Sequence, residues 1–301
     1  MKVIKPKEIT DDEFSSSTVA ENDYSAWDSG TAYVVGDKVI RTSTHRIYEC
    51  LVNNTNYVPE DNLTGATPKW LDYAPTNRWA MFDDVVGTVT TATSPLTVVV
   101  NPGVTGAIGF LGLIGTQLDV TLKDSPSGTT VYEKTISLDG SIITSWYDWF
   151  FEDYTQLSDL VIADLPDNYA IPELTISITG SSQVGCGLVK CGKLYNLGVT
   201  QYGASVGITD YSRKEQDDFG NWTILQRSFN KNANIQIECD PSDLNKIYRL
   251  LSELRTTPVF WIGTTESGFE PLLIYGFYRD FSIDIAYYSM HYCTLEIEGL
   301  T

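Results

Sequence analysis

His45 and His291 are the only imidazoles in a chain of 301 residues. His45 falls in a polar loop and His291 in a strand-like run. Neither belongs to a recognisable nucleophile or metal-ligand pattern, so both read as surface or packed histidines. No Gly-x-Ser-x-Gly elbow, Walker loop or His-Glu-x-x-His element accompanies them. The glycines between 103 and 115 lack the strand-loop-helix order and the Lys-Ser/Thr ending of a phosphate cradle. Asp148, Glu152 and Asp153 stand among Trp146, Trp149, Phe150 and Phe151, a mixture suited to a sugar cleft. A glycosidase needs two carboxyl groups about 5 to 9 Å apart across the scissile bond. Neighbours in sequence do not supply that geometry, and the segment reads as a loop or edge whose rings pack beneath it. Asp217-Asp218-Phe219-Gly220-Asn221 lacks the alternating oxygens and closing Glu of a calcium hand and reads as a hairpin turn, with Gly220 or Asn221 at positive φ. Cys50, Cys186, Cys191, Cys239 and Cys293 are odd in number and scattered, a pattern of buried free thiols rather than a disulfide framework. No second pair or nearby His completes a metal site around Cys186 and Cys191. The expectation is a protein with no catalytic residue, no metal and no cofactor.

The elements that would carry these residues are β-rich. Aromatics make up 12% of the chain, with 18 Tyr and seven Trp, a load that suits strands, interfaces and sugar-binding surfaces. The net charge of −19, from 39 acidic against 20 basic residues, argues against a phosphate-tracking surface and hence against nucleic acid as a partner. The basic N-terminus is followed by no apolar run, so no secretory signal is expected, and no stretch approaches the roughly 18 apolar residues that span a bilayer. A soluble, cytosolically made chain follows.

Along the chain, residues 1–23 are polar and acidic, with Ser15-Ser16-Ser17-Thr18, and read as a flexible arm. Residues 24–83 form a compact aromatic unit of short strands, marginal in size, whose aromatics must supply the core. Residues 84–192 carry several short alternating strands between turn signals, the pattern of a β-sandwich or jelly roll. Residues 193–301 stay strand-rich but add one helix. Asp240 is its expected N-cap, Pro241 its first residue, and Leu244, Ile247, Tyr248, Leu251 and Leu254 its apolar face. Thr256-Thr257-Pro258 ends it. The fold class is therefore mainly β: a small aromatic β-module, a central β-sandwich or jelly roll, and a C-terminal β-rich domain with one amphipathic helix.

Trp27, Tyr33, Gly36-Asp37, Val39, Tyr48 and Trp70 follow the order and approximate spacing of small chitin- and cellulose-binding modules, and the unit resembles that family. The resemblance implies exposed rings that stack on sugar faces, with Trp27, Tyr33, Tyr48 and Trp70 as the candidate carbohydrate-binding residues. The long loop before Trp70 departs from the family's compact pattern.

A longer resemblance begins at Asn77-Arg78-Trp79-Ala80-Met81-Phe82-Asp83, which is similar to a junction in virion proteins of tailed phages and prophages. The segments 210–221, 254–258, 275–281 and 295–300 resemble the same family. What this implies is a structural tail protein of the distal tail, tail tip or baseplate, located in the virion. It would form a homo-oligomer with other phage tail proteins as partners. A host-surface glycan-binding protein is the alternative reading, and a wall-degrading glycosidase a weaker one.

Overall fold

The computed structural model describes residues 1–300 except 142, 144, 152, 154, 217, 267, 268 and 286–289. The chain is mainly β, built from several antiparallel sheets. The largest is a strongly curled nine-strand half-barrel. Its strands run in the order Leu160–Ile162, Ala107–Leu111, Leu188–Asn196, Lys2–Lys7, Val259–Ile262, Leu273–Asp284, His291–Gly299, Phe229–Cys239 and Val199–Thr200. Ser205–Asp210 also pairs with Phe229–Cys239. A second sheet orders Thr130–Ser137, Gln117–Lys123, Glu173–Thr179, Leu96–Val100 and Phe14–Ser17.

Strict alternation explains how the second sheet sits. Leu118, Val120 and Leu122 are paired with Ile178, Ile176 and Leu174, and all six side chains are buried on one face while the intervening polar residues face out. That face meets Ile108, Phe110, Val189 and Cys191 of the half-barrel in one apolar cluster. On the other face the curled sheet buries its own side chains against one another, Ile4, Leu188, Phe260, Ile262 and Tyr275 among them. A strand covered on both sides reads as a continuous apolar run, as the four buried residues Val259–Ile262 do.

The expected flexible arm is instead structural. Lys2–Lys7 lies between Leu188–Asn196 and Val259–Ile262, with Val3 and Ile4 fully buried, and Phe14–Ser17 edges the second sheet. Average polarity hid this, because only two apolar side chains, one per face, secure the strand. The close packing is set by Gly192 opposite Pro6, where a Cβ would stand 2.0 Å from the Lys5 carbonyl oxygen. The boundary expected after 192 falls inside the strand Leu188–Asn196, whose Val189 and Cys191 join the cluster shared with the second sheet and whose Leu188 joins the cluster on the other face.

The expected helix is present at Leu244–Leu254, with Ile247, Leu250, Leu251 and Leu254 buried against Ile235, Ile237, Trp261, Leu295 and Ile297. Two details differ from the expectation. Asp240 and Pro241 belong to the preceding turn, where Asp240 Oδ1 accepts the Ser242 N–H at 2.8 Å, and Asp243 occupies the N-cap position. Tyr248 is exposed, because it lies about 100° around the helix from Ile247, on the flank of the buried stripe.

Candidate functional site

The four predicted sugar-binding residues do converge, but as a core. Lys38–Arg41, Arg46–Cys50 and Trp70–Pro75 form a three-stranded sheet, and Ala32–Tyr33 pairs with Asn54–Thr55 beside it. Trp70, Tyr48 and Tyr33 are buried with Val39 and Cys50, and the half-buried Trp27 packs against them. Tyr33 meets Trp70 edge-on at 5.2 Å. Trp70 Nε1 donates to the Tyr57 carbonyl at 2.9 Å, and Tyr33 Oη accepts the Asp28 N–H at 2.7 Å. Tyr48 Oη lies 3.0 Å from Thr44 Oγ1, and burial holds its phenol above the ordinary range. A ring enclosed on both faces has none left for a pyranose, so Tyr33, Tyr48 and Trp70 are corrected from ligand-facing to core residues. The reason is size, since so small a unit has few other apolar side chains to bury. One face of Trp27 is approached by the Arg41 guanidinium, 5.1 Å from the ring centroid, and Arg41 is itself held by Glu60.

The aromatic rings that this unit exposes are Tyr24, Tyr57 and Tyr73. Lys38 Nζ sits 3.3 Å over the Tyr73 ring, and Lys69 Nζ lies 5.6 Å over that of Tyr57. Sequence order alone does not separate these rings from the buried ones. For Tyr73 the cause is a bulge, since Ile47 pairs with Ala74 and Tyr48 with Asp72, leaving Tyr73 outside the alternation.

His45 turns out to be well partnered. It sits at φ 54° in the turn before Arg46–Cys50 and stacks on Trp79 at 4.0 Å. Its Nδ1 is 3.0 Å from Glu21 and its Nε2 3.0 Å from Asp11, while Glu21 also accepts the Thr76 hydroxyl. Neither ring nitrogen faces a nucleophile, and the constellation fastens residues 11–21 to the aromatic unit. Trp79, Ala80, Met81 and Phe82 are buried, so the junction is packed rather than loose. Lys190 Nζ reaches the Phe82 carbonyl at 3.0 Å and Asp84 at 2.8 Å.

The acidic aromatic segment differs from expectation too. Trp146–Phe151 is a short helix whose Trp146, Tyr147, Trp149, Phe150 and Phe151 side chains are all well exposed, with Trp146 at 81%. They stand in solvent instead of packing beneath a loop or lining a cleft. Glu152 lies outside the described residues. No cluster of three or more His, Cys, Asp or Glu with metal-binding geometry occurs among the described residues. No helix there is long and apolar enough to cross a membrane.

A second exposed feature is a two-stranded ribbon. Ser205–Asp210 pairs with the start of Phe229–Cys239, and Arg213–Gln216 pairs with Trp222–Leu225 beyond it. Every described residue from 213 to 229 is exposed, including Trp222 at 61%, Ile224 at 65% and Phe219 at 91%. Gly220 takes φ 85° at the tip, as the turn reading expects, while Asp217 lies outside the described residues. Trp222 and Ile224 share one ribbon face, opposite Gln216 and Lys214. A two-stranded ribbon is marginal in water on its own, and apolar side chains there lower its solubility unless something covers them.

Comparison with protein-family models, curated proteins and solved structures returns no match.

Proposed function

We propose that this chain is a non-enzymatic structural subunit of a phage tail, at the distal tail, tip or baseplate, which assembles with copies of itself and with other tail proteins. The observation that carries the reading is the ribbon at 205–229, rooted in the half-barrel sheet, which leaves Trp222, Ile224 and Phe229 exposed. Burying Trp222, Ile224 and Phe229 on a neighbour would recover apolar free energy at about 25 cal/mol per Å². Aromatic anchors of this kind are enriched at protein interfaces. The resemblance of residues 77–83 and 210–221 to tail proteins supplies the setting. In this reading the aromatic unit is a small docked module, the two facing sheets are a central sandwich, and residues 193–301 are the assembly domain.

Sedimentation of the full chain over a range of concentrations tests it. The wild type is expected to associate and the Trp222→Ser/Ile224→Ser variant to remain monomeric with an unchanged melting temperature. A wild type that stays monomeric throughout and is missing from purified tail particles would overturn the reading.

The alternative of a host-glycan-binding role rests on Tyr24, Tyr57 and Tyr73 with their flanking lysines. Retention on insoluble polysaccharide that disappears in Tyr73→Ala would favour it.

A further inference from the structure

Cys239 and Cys293 lie on neighbouring strands, one diagonal step apart in register, since Ile237 is paired with Cys293 and Cys239 with His291. Their sulfurs are 3.0 Å apart, both thiols are free, and both residues are buried in the core beneath the helix. Two sulfurs at that separation are closer than nonbonded contact and about 1 Å from the bonded distance of roughly 2.05 Å. Cys50 and Cys186 make their polar contacts with groups other than a thiol, Cys50 with Val52 and Asn54 and Cys186 with Leu111 and Leu188. A cavity of about 280 Å³, bounded by Asn196, Leu197, Gly198, Glu238, Cys239 and Met290, reaches the Cys239 end of the pair. In the reduced protein the Cys239 thiol donates weakly to the His291 carbonyl at 3.4 Å.

We propose that Cys239 and Cys293 form an oxidation site, which a small disulfide of the glutathione class entering by this cavity converts to an intrachain disulfide. Cys239 is the entry thiol and Cys293 the resolving thiol. Cys239 Sγ, deprotonated, attacks one sulfur of the reagent; the reagent's S–S bond breaks and its other half leaves as a thiolate that takes up the proton. Cys293 Sγ then gives up its proton and attacks Cys239 Sγ, the mixed disulfide breaks, and a second small thiol leaves carrying that proton. Two electrons pass from the protein to the reagent and no proton is gained or lost overall. Burial, with the neighbouring Cys239 thiol, raises the Cys293 thiol above its ordinary range, so the reaction, which needs thiolate, speeds up with rising pH. The product would tie Phe229–Cys239, the strand that carries the ribbon, to the last strand His291–Gly299. This chemistry does not depend on the assembly reading.

The full-length folded protein is incubated with glutathione disulfide at pH 7 and pH 9, then alkylated and mapped without reduction. The expected product has lost two hydrogen atoms in mass and joins the peptides holding Cys239 and Cys293. It forms faster at pH 9 and melts at a higher temperature until dithiothreitol is added. In Cys293→Ala the expected outcome is a glutathione adduct that stays on Cys239. Linkage of any other cysteine pair, or wild-type protein that stays fully reduced while folded, would overturn the proposal. So would a Cys293→Ala variant that melts normally yet takes up no adduct.

Discussion

Trp70 shows how the same residue type serves two opposed roles, depending only on which side of a small sheet it faces. Fully buried and hydrogen-bonded through Nε1, it holds the aromatic unit together. Trp70→Ala should cost about 3 to 5 kcal/mol, read as a loss in urea or thermal melts. Tyr73→Ala, at an exposed position, should change stability by less than about 0.5 kcal/mol. Comparable melts for the two variants would show that the division into core and surface rings is wrong. Order and spacing located the cluster of Trp27, Tyr33, Tyr48 and Trp70 correctly. They could not assign its direction, because the bulge at Tyr73 breaks the alternation from which direction is read. The partners of His45 were illegible for a different reason: Asp11, Glu21 and Trp79 are distant from it in sequence, and only the fold brings them together. A pH effect belongs at this scale as well. Glu13 accepts hydrogen bonds from Lys7 and Thr10, and these hold its carboxyl at about 2, below the unfolded value of 4.5. The unfolded chain therefore takes up the proton first. The stabilisation is complete above pH 4.5 and is lost as pH falls toward 2. Acid melts of Glu13→Gln should show a smaller loss across that window than the wild type, and equal slopes would exclude the effect.

Among the elements, the helix Leu244–Leu254 was the most legible, because a stripe of aliphatic residues with helical spacing has no competing β interpretation. Its start was misplaced by a turn, since Asp240 and Pro241 are equally good turn residues. Leu251 is fully enclosed between helix and sheet, so Leu251→Ala should cost about 2 to 5 kcal/mol in denaturant melts. Arg249, on the outward side of the same helix, provides the control, and Arg249→Ala should stay within about 0.5 kcal/mol. The strands Gln117–Lys123 and Glu173–Thr179 were equally plain from their alternation. Lys2–Lys7 was missed because a short strand between two others needs only a pair of apolar residues. The neighbours that make them sufficient are distant in sequence. The ribbon could be read as a hairpin from its turn, but its exposure could not. Trp222 and Ile224 have the composition of a core strand.

For the molecule as a whole, the packed junction bears on proteolysis. With residues 79–82 buried and Lys190 anchored on Phe82 and Asp84, the segment should resist cleavage. Limited trypsin digestion should cut first in the ribbon, at Arg213, Lys214 or Arg227, each exposed. Early cleavage at Arg78 instead would show that the aromatic unit is loosely attached. The apolar cluster shared by the second sheet and the half-barrel also means that the two should melt together, in one calorimetric transition.

The position of Lys2–Lys7 sets a timetable for the life of the chain. Residue 2 is in register with residue 196 on one side and residue 262 on the other. During synthesis this strand leaves the ribosome with neither neighbour yet made, and at about 5 to 20 residues per second it waits many seconds for the second. The half-barrel therefore cannot close until translation has passed residue 299. Long-range closure of this kind is slow. Under the proposed assembly role, a nascent chain that displays its ribbon without the closed sheet beneath it would not yet engage a neighbour.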